Sequence, residues 1–584
     1  MPTPDVAPRI AYRVRMPRPA SHHFHVETTV AEPLGDATEL ALPVWTPGSY
    51  MVRDFSRHLF DVRAVDARGR RLVCRKIRKN AWNVVHGGRT FTLSYRAFAF
   101  DPTVRTAFLD ADRGWFNGAN LLPFLVGRTD LPAVLRIDAP PGWNVDGTMP
   151  RIGRGRTFAA ADYDAVCDHP FVMGKLRVRR FKAAGRMHRF TLNGDGDLPE
   201  RTVKDTAASI EAAARLFGGL PYREYAFLVN FGVDADGMGG LEHRDCSLLH
   251  VPGRATLDPV KYRAFVGLVS HEHFHLWNVK RIRDRKLGPF DYESEVYTDL
   301  LWFHEGFTSY YDDLLPTRAG VFSTDDYLGI LADTLSAYAA TPGRLQQPLT
   351  EASFDAWIKF YKRNEESRST TVSYYAHGAL IALLMDLHLR TVTRGKRSLD
   401  HVMKALWQDA KSGGVLDAER WLGLARAATG VDLRRLYDAH VAGTREPDFA
   451  DHLRTVGLEL RPRSEAELTK PFLGLVNRVE GGRLVVEEAL HGGPAFKAGL
   501  QPRDELVAVD GRRIGTDLDA ALRGTPPGRR IDFDVFRADR LRRIALRTVK
   551  NPAPPLMLIP RKKTTAAERK RFTNWCGRPF PSGG

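Results

Sequence analysis

The chain has 584 residues, which is too many for one compact core and enough for three or four domains. Hydrophobic residues make up 43% of it and charged residues 27%, a composition that excludes a fibrous or wholly disordered protein. Lysine and arginine number 86 against 69 aspartates and glutamates, yet they are spread along the chain without a helix-turn-helix or finger spacing. Nucleic-acid binding, which rests only on the net charge of +17, is therefore not favoured.

The sequence also indicates where the protein is located and which residue types can bind a metal. No apolar run reaches the roughly 20 residues of a spanning helix, and residues 1–11 lack the layout of a secretory signal. We therefore expect a cytoplasmic protein with no membrane span. The cysteines are scattered with no close pair, at Cys74, Cys167, Cys246 and Cys576. This spacing excludes a CxxC site, so any metal must be held by histidines and carboxylates.

Residues 1–190 have the pattern of strands. Short alternating stretches at Ile10–Arg15, 24–28 and 90–98 are separated by turn signals that contain proline and glycine. The pattern predicts an N-terminal all-β domain.

Residues 191–455 change to the helical period. Apolar residues at helical spacing predict helices at 203–217, 264–279, 301–315 and 374–389, and a short apolar run predicts a strand at 226–231. This region is predicted to be mainly helical with at least one strand.

The last part of the chain changes character again. Residues 456–550 read as short strands punctuated by glycine-containing turns. Residues 551–584 are basic and contain many prolines, and we expect this tail to be only partly ordered.

The sequence HEHFH at residues 271–275 fits the HExxH motif. On a helix, His271 and His275 lie on one face and can bind a single Zn²⁺ through their imidazole nitrogens. Glu272 then lies beside the metal, where it can take a proton from water that Zn²⁺ has acidified. Apolar neighbours predict a buried helix, in which these side chains are better explained by a shared ion than by solvation. His273 is off the ligand face and is predicted to be a packed imidazole, or one that supports the metal ligands, rather than a ligand.

A catalytic zinc also needs a third protein ligand and one open position. Glu305 is the best candidate, because aromatic flanks would bury it and Gly306 allows close helix packing. The other candidates are His304, Asp299, Glu295 and Glu293. We predict one zinc ion per chain, held by His271, His275 and Glu305.

Two longer stretches, HEHFHLWNVKRIR at 271–283 and LWFHEGFTSYY at 301–311, resemble the glycyl aminopeptidase family of zinc metallopeptidases, relatives of the thermolysin-like aminopeptidase N group. LPVWTPGSY at 42–50 and VRTAF at 104–108 are similar to the N-terminal domain of that family. The resemblance supports Glu305 as the third ligand. The architecture that it implies is an N-terminal β domain at 1–190, a thermolysin-like (gluzincin) zinc peptidase domain at 191–455, a PDZ domain at 456–550 and the tail at 551–584.

The same resemblance implies two residues that handle substrate. Glu242, in the sequence GMGGLEH, matches the glutamate that binds the free amine of the substrate. Tyr375, in the sequence SYYAHG, matches the tyrosine that stabilises the tetrahedral oxyanion, with Tyr374 as the alternative.

A further resemblance lies near the C-terminus. Leu473, Gly474 and Leu475 are similar to the carboxylate-binding loop of a PDZ domain, whose backbone N–H groups face a peptide C-terminus. PDZ domains bind such a peptide as an added strand. A packing role without a ligand is the alternative.

Together these features predict a zinc aminopeptidase acting on peptides with a free N-terminus. The resemblance implies a preference for small N-terminal residues, glycine and alanine. The first alternative is a zinc endopeptidase, which would cleave blocked peptides as well as free ones. The second is a PDZ-bearing interaction protein with a structural or vestigial metal site, although a structural zinc usually has four protein ligands.

Overall fold

The computed structural model describes residues 10–33, 35–232 and 237–581. Residues 1–9, most of the stretch that lacks the layout of a secretory signal, lie outside the described residues. Within them, no helix is both long enough and apolar enough to cross a membrane. The chain forms two compact units. One contains Met1–Tyr297, Tyr311–Val321 and Leu406–Leu416, and the other contains Thr298–Tyr310, Phe322–Ala405 and Asp417–Gly584.

The N-terminal part of the first unit is built almost entirely of strands. Its elements are β1 (Ile10–Arg15), β2 (His23–Val30), β3 (Ala37–Ala41), β4 (Leu59–Asp66), β5 (Val73–Arg78), β6 (Ala81–Val85), β7 (Phe91–Phe98), β8 (Phe108–Leu109), β9 (Arg113–Phe116), α1 (Gly118–Leu121), β10 (Phe124–Leu125), β11 (Ala133–Asp138), β12 (Asn144–Gly147), β13 (Thr157–Ala160), α2 (Tyr163–Cys167) and β14 (Phe171–Gly174). The strands predicted at Ile10–Arg15, 24–28 and 90–98 are confirmed as β1, β2 and β7.

These strands form three sheets. A six-stranded sheet has the order β13-β11-β1-β2-β7-β4, and two four-stranded sheets have the orders β10-β3-β6-β5 and β12-β14-β9-β8. Buried and half-exposed positions alternate along β2, so each strand turns one face to the core. That core contains Phe24, Phe91 and Phe171 among its large side chains.

A five-stranded sheet with two helices completes the main part of this unit. Its elements are β15 (Arg177–Ala183), β16 (Arg186–Asn193), α3 (Glu200–Phe217), β17 (Glu224–Phe231), β18 (Gly239–Glu242), β19 (Cys246–Val251) and α4 (Pro259–Phe274). The strand order is β15-β16-β17-β19-β18, with β18 antiparallel to β19 at one edge. Helix α4 packs against α3 and against β18 and β19. The predicted helix at 203–217 and strand at 226–231 are confirmed as α3 and β17.

Helix α4 ends at Phe274, so the prediction that it continues to residue 279 is wrong. His275 caps the helix, and the backbone of Val279 has a φ of 104°, which a helix cannot contain. The amide of Ile282 then donates to the carbonyl of Trp277 (2.7 Å) and closes the turn. The sequence does not signal this ending, because a β-branched residue rarely adopts a positive φ.

The next part of the chain is helical. Its helices are α5 (Leu301–Arg318), α6 (Thr324–Ala339), α7 (Leu349–Phe354), α8 (Ser367–Thr370), α9 (Ala376–Val392), α10 (Leu399–Lys411), α11 (Ala418–Thr429), α12 (Arg434–His440) and α13 (Phe449–Arg454). The predicted helices at 301–315 and 374–389 are confirmed as α5 and α9, although α9 begins at Ala376. A Cβ on Gly306 would lie 2.5 Å from the Cα of Gly378, so the close packing predicted at Gly306 is confirmed.

A second β-rich region follows, within the second unit. Its elements are β20 (Leu458–Pro462), α14 (Glu465–Thr469), β21 (Pro471–Phe472), β22 (Leu475–Glu480), β23 (Arg483–Ala489), α15 (Pro494–Ala498), β24 (Glu505–Val509), β25 (Arg512–Arg513), α16 (Leu518–Ala521), β26 (Arg530–Arg537), β27 (Arg540–Arg547) and β28 (Val549–Lys550). The main sheet has the order β22-β23-β24-β26-β27, so β22 is an edge strand. Phe533 and Val535 lie in a core of its own.

The C-terminal segment is folded, so the expectation of a partly ordered tail is wrong for residues 551–581. Strand β29 (Leu556–Pro560) pairs with β20, and helix α17 (Ala566–Cys576) buries Phe572, Trp575 and Cys576. These three side chains recur at helical spacing, and their burial outweighs the polar, proline-containing composition.

Candidate metal centre and active site

Helix α4 places two imidazoles side by side. His271 and His275 are four residues apart, about one turn of helix, and their ring centroids lie 4.6 Å apart. The Nε2 atom of His275 lies 3.0 Å from the Nε2 atom of His271. Both side chains are buried at the C-terminal end of the helix.

Each imidazole is oriented by a hydrogen bond between its Nδ1 atom and an oxygen atom. The Nδ1 atom of His271 lies 2.8 Å from Oδ2 of Asp312, and that of His275 lies 2.9 Å from the carbonyl oxygen of Asn278. A carbonyl or a carboxylate only accepts, so each Nδ1 carries the proton and donates it. Each Nε2 is left with a lone pair, which is the form in which imidazole binds a metal.

Glu305 completes a group of three ligand atoms. One nitrogen of His271, one nitrogen of His275 and one carboxylate oxygen of Glu305 all lie within 4.8 Å of one another. Glu305 projects from α5 and is buried. The other candidates for the third ligand belong to no such group among the described residues: His304, Asp299, Glu295 and Glu293.

These three side chains suit Zn²⁺. Two Zn–N bonds of about 2.0–2.1 Å at the tetrahedral angle place the nitrogens about 3.3 Å apart, and the observed distance is 3.0 Å. At this distance two imidazole lone pairs repel each other, and a cation between them removes the repulsion. Three protein ligands also leave a fourth position for water or substrate, as in catalytic rather than structural zinc sites.

Asp312 is a residue of this centre that the sequence analysis missed. It lies on α5 seven residues after Glu305, so both side chains project from the same helix face. Burial raises the pKa of Asp312, and the neighbouring His271 lowers it. The spacing from Glu305 was a signal that could have found Asp312. The Asn278 carbonyl had no such signal, because a backbone group can come from any residue type.

Replacing Asp312 by Asn is expected to weaken zinc binding about 10- to 100-fold, because the carboxylate that orients His271 is lost. Zinc affinity can be measured by competition with a chelating dye at fixed pH, so the readout does not depend on catalysis. Asp325→Asn, at an exposed position of α6, is the matched control and should bind zinc as the wild type does. Equal affinities for all three proteins would show that Asp312 does not orient the ligand.

Glu272 lies against strand β18. A Cβ on Gly240 would lie 2.1 Å from Oε1 of Glu272, so the glycine makes room for this carboxylate. The Tyr225 hydroxyl donates to the backbone carbonyl of Glu272 (3.3 Å), which ties this turn of α4 to the sheet. Any residue larger than glycine at position 240 would displace Glu272.

His273 is a packed imidazole, as predicted. Its Nε2 atom lies 2.7 Å from the hydroxyl of Tyr222, which in turn lies 2.8 Å from Nε2 of His188. Burial lowers the pKa of His273, so this ring is neutral at pH 7. It belongs to a hydrogen-bonded chain on the side of α4 away from the metal ligands.

Glu242 ends strand β18 and lines a cavity of about 310 Å³. Glu242 is 6% exposed, and a Cβ on Gly48 would lie 2.7 Å from its Oε1 and 2.8 Å from its Oε2. Gly48 has a φ of 88°, a conformation that favours glycine. The absence of a side chain at Gly48 also lets the Glu242 carboxylate lie close to its backbone. The segment LPVWTPGSY therefore forms one wall around this carboxylate.

The other carboxylates that line this cavity already have partners. Asp162 accepts from the Ala165 amide (2.7 Å), Asp164 from the Tyr292 hydroxyl (2.6 Å), and Asp168 pairs with Lys280 (2.6 Å). Burial alone would raise the pKa of Asp168, but Lys280 and His243 hold it well below its usual range. Within the described residues, no side chain or amide donates a hydrogen bond to the carboxylate of Glu242. The carboxylate of Glu242 is therefore the one in this cavity that remains open to a cationic ligand.

The two adjacent tyrosines differ in accessibility. Tyr374 is fully buried and packs on Phe360, with ring centroids 4.6 Å apart. Tyr375 is partly exposed at the N-cap of α9 and stacks on Phe360 at 5.5 Å. Only Tyr375 keeps part of its surface open to a substrate.

The loop at Leu473–Leu475, the predicted carboxylate-binding loop, turns at Gly474. Gly474 has a φ of 67°, and its carbonyl accepts from the Leu490 amide (2.8 Å). The following residue, His491, donates its amide to the Ser369 hydroxyl (3.1 Å) on α8. The loop therefore lies beside a turn that is also bound to the helical region of the same unit.

Profiles of known families match three parts of the chain. The profile of the M61 glycyl aminopeptidase family covers residues 264–381. That of the peptidase M61 N-terminal domain covers residues 11–175, and that of the PDZ domain covers residues 485–535. No curated protein gives a significant sequence match.

Solved structures are similar over most of the chain. An aminopeptidase N family protein from Idiomarina loihiensis is 31% identical, and the match covers 97% of this chain and 100% of that one with a TM-score of 0.91. An M1 zinc metallopeptidase from Deinococcus radiodurans is 16% identical over 75% of this chain and 94% of its own, with a TM-score of 0.48. A mutant of that enzyme bound to a Tyr-Ser-Ala substrate is 17% identical, with the same coverage and a TM-score of 0.47.

The grouped histidines and glutamate, the family profiles and the match to the Idiomarina loihiensis protein define a metallopeptidase, a hydrolase of peptide bonds. The chain belongs to the M61 glycyl aminopeptidase family. The predicted fold class is confirmed: an N-terminal β domain, a mainly helical catalytic domain and a PDZ domain. The alternative of an interaction protein without enzyme activity is therefore not supported.

Proposed function

We propose that this protein is a zinc aminopeptidase that releases small N-terminal residues, glycine and alanine, from peptides. The observation that carries the proposal is the close group of His271, His275 and Glu305, whose ligand atoms all lie within 4.8 Å of one another. Strand β18 adds Glu242 as a buried carboxylate in an open cavity. The preference for small residues rests on membership of the M61 family.

His271, His275 and Glu305 would hold one zinc ion per chain. When bound, Zn²⁺ supplies a Lewis acid that polarises the scissile carbonyl and lowers the pKa of water to about 7. Glu272 accepts the proton of the attacking water on a carboxylate oxygen and later passes it to the leaving amine nitrogen. The hydroxyl of Tyr375 donates a hydrogen bond to the oxygen on which negative charge develops.

Glu242 explains why the enzyme would act at a free N-terminus. A peptide ammonium that enters the cavity finds a carboxylate with no competing donor from the described residues. The ion pair fixes the distance from the N-terminus to the reacting carbonyl, so one residue is removed in each cycle. Gly48 contributes by keeping the space beside both carboxylate oxygens free of a side chain.

The loop at Leu473–Leu475 would bind a peptide C-terminus. Its backbone geometry and the edge strand β22 beside it allow a peptide to add as a further strand. This binding would be separate from catalysis, because it reads a carboxylate rather than an amine.

Replacing Glu242 by Gln is expected to lower kcat/KM for glycyl-anilide by about 10²- to 10³-fold, because a buried ammonium loses its ionic partner. The N-acetylated anilide lacks the ammonium and should be a poor substrate for wild type and variant alike. Glu211→Gln, at an exposed position of α3, is the matched control. Chelator should abolish hydrolysis by every variant, and added zinc should restore it.

The outcomes separate the alternatives. If wild type cleaves the acetylated substrate as fast as the free one, Glu242 does not bind an amine and the enzyme is an endopeptidase. If Glu242→Gln keeps the full preference for a free amine, another carboxylate performs this role.

A further inference from the structure

An arginine cleft lies in the first unit and plays no part in the proposed catalysis. It has a volume of about 1000 Å³ and is lined by seven arginines and three carboxylates. The arginines are Arg151, Arg180, Arg186, Arg189, Arg223, Arg244 and Arg281, and the carboxylates are Asp146, Glu224 and Asp245. No lysine or histidine lines the cleft, so its cations are all guanidinium groups.

Two buried arginines use all three carboxylates. Arg189 binds Asp146 through Nε and Nη2 (3.0 Å each) and Glu224 through Nη1 (2.6 Å). Arg281 binds Asp245 (2.8 Å) and the carbonyl of Leu276 (2.9 Å). These pairs are satisfied without a ligand.

The remaining five arginines form an exposed rim with no carboxylate left to pair with. Within the described residues, the guanidinium groups of Arg180, Arg186, Arg223 and Arg244 have no hydrogen-bond or ion-pair partner. Arg151 only stacks over the ring of Phe158, 5.3 Å from its centroid. Five like charges around one concavity repel each other, and an anion that enters it relieves this repulsion.

The arginines of the rim could have another role, which is to protect the edge of a sheet from pairing with other chains, but this role explains only some of them. Basic side chains on an edge strand hinder pairing with other chains, and Arg180 lies on the edge strand β15. Arg223 and Arg244 lie outside the strands, yet they face the same cleft. Their convergence needs another explanation.

We propose that the arginine cleft binds an acidic peptide segment of another protein. Guanidinium groups match carboxylates in a two-point geometry, and a segment with several Asp or Glu residues can pair with several rim arginines at once. The lining disfavours single-stranded nucleic acid, because its aromatic residues, Phe158 and Tyr222, are 1% and 5% exposed and offer bases no stacking surface.

The cleft adjoins the proposed active site at two points. Arg244 also lines the cavity that holds Glu242, two residues away along the chain. Tyr222 lies in the cleft wall and its hydroxyl lies 2.7 Å from Nε2 of His273 on α4. A peptide bound here would lie beside the residues that bind substrate, although the cleft itself would not cleave it.

The test uses a dye-labelled octaglutamate that is N-acetylated and C-amidated, so neither the Glu242 cavity nor a PDZ groove can bind its ends. We expect saturable binding to the full-length protein by fluorescence anisotropy, weakening steeply as salt is added. The triple variant Arg180→Glu, Arg186→Glu, Arg223→Glu is expected to bind roughly tenfold more weakly or worse. The neutral set Arg180→Gln, Arg186→Gln, Arg223→Gln should show a smaller loss in the same direction.

The matched control is Arg512→Glu, Arg540→Glu, Arg542→Glu, which makes the same charge change at exposed positions of the β-rich C-terminal region. Its affinity for octaglutamate should stay within about twofold of wild type, since these three arginines do not line the cleft. An equal loss in the control and cleft variants would overturn the proposal, as would the absence of saturable binding. Tighter cleft-dependent binding of an oligothymidylate of equal charge would assign the cleft to nucleic acid instead. Melting temperatures of all variants verify that they are folded.

Discussion

Glu272→Gln is expected to lower kcat for glycyl-anilide hydrolysis by about 10²- to 10⁴-fold, the contribution of a positioned general base. Glutamine has nearly the same shape as glutamate and fills the space that Gly240 leaves open, so the fold around β18 should be kept. The amide cannot accept the proton of the attacking water. Zinc content should therefore stay at one ion per chain while the chemical step is lost.

Two measurements make this result specific. Metal analysis of purified Glu272→Gln separates loss of the base from loss of the metal, and Glu305→Gln serves as the comparison in which zinc binding should weaken. A pre-steady-state experiment shows whether the chemical step has become rate-limiting. A kcat within tenfold of wild type would mean that another group accepts the proton, and Glu272 would have to be reassigned.

The pair of histidines was predictable because the relevant geometry is local. Four residues on an α-helix return to the same face, so His271 and His275 could be placed together from their spacing alone. Glu305 could not be distinguished from His304 or Asp299 in this way. Its position depends on how α5 packs, and the sequence offered only aromatic flanks and Gly306 as hints.

The groups that orient the histidines could not be predicted from the sequence, for a different reason. Asn278 acts through its backbone carbonyl, whose direction depends on the turn that follows α4. That turn includes Val279 at a φ of 104°, a conformation that residue type argues against. The apolar pattern continued across the turn, so the predicted helix was about one turn too long.

The family resemblance supplied what local patterns could not. Neither Glu242 nor Tyr375 lies in a periodic pattern that indicates a function, and both were singled out by similarity alone. The structure adds physical reasons for each: Glu242 has an open cavity and no donor among the described residues, and Tyr375 is partly exposed whereas Tyr374 is buried.

For the C-terminal segment, the amino-acid composition led to a wrong prediction of partial order. Prolines and basic residues suggested partial order, but Phe572, Trp575 and Cys576 occupy one face of an amphipathic helix. A search for helical spacing in this short stretch would have found α17.

Trp575→Ala is expected to lower the free energy of unfolding by about 3–5 kcal/mol, the cost of emptying a fully buried aromatic site. The side chain is 0% exposed, and its Nε1 donates to the Tyr310 hydroxyl (2.9 Å). Tyr310 in turn donates to Asp386 (2.7 Å) on α9, so the indole supports a buried polar chain that alanine would leave incomplete. Tyr310 lies on α5 five residues after Glu305, and the variant should also raise hydrogen exchange in that helix.

Trp407→Ala is the matched control, because Trp407 is only partly buried and its contact with Lys411 is a cation–π pair at 5.5 Å. Urea denaturation followed by far-UV circular dichroism should show a clearly smaller loss for it than for Trp575→Ala. Both variants could instead lose the same small amount of unfolding free energy, below about 1 kcal/mol, as surface substitutions do. That result would mean that α17 does not pack against α5 and α9 in solution. A large loss confined to Trp575→Ala would instead show that a helix encoded after the PDZ domain stabilises the helix that carries Glu305, so removing the tail would weaken the peptidase region itself.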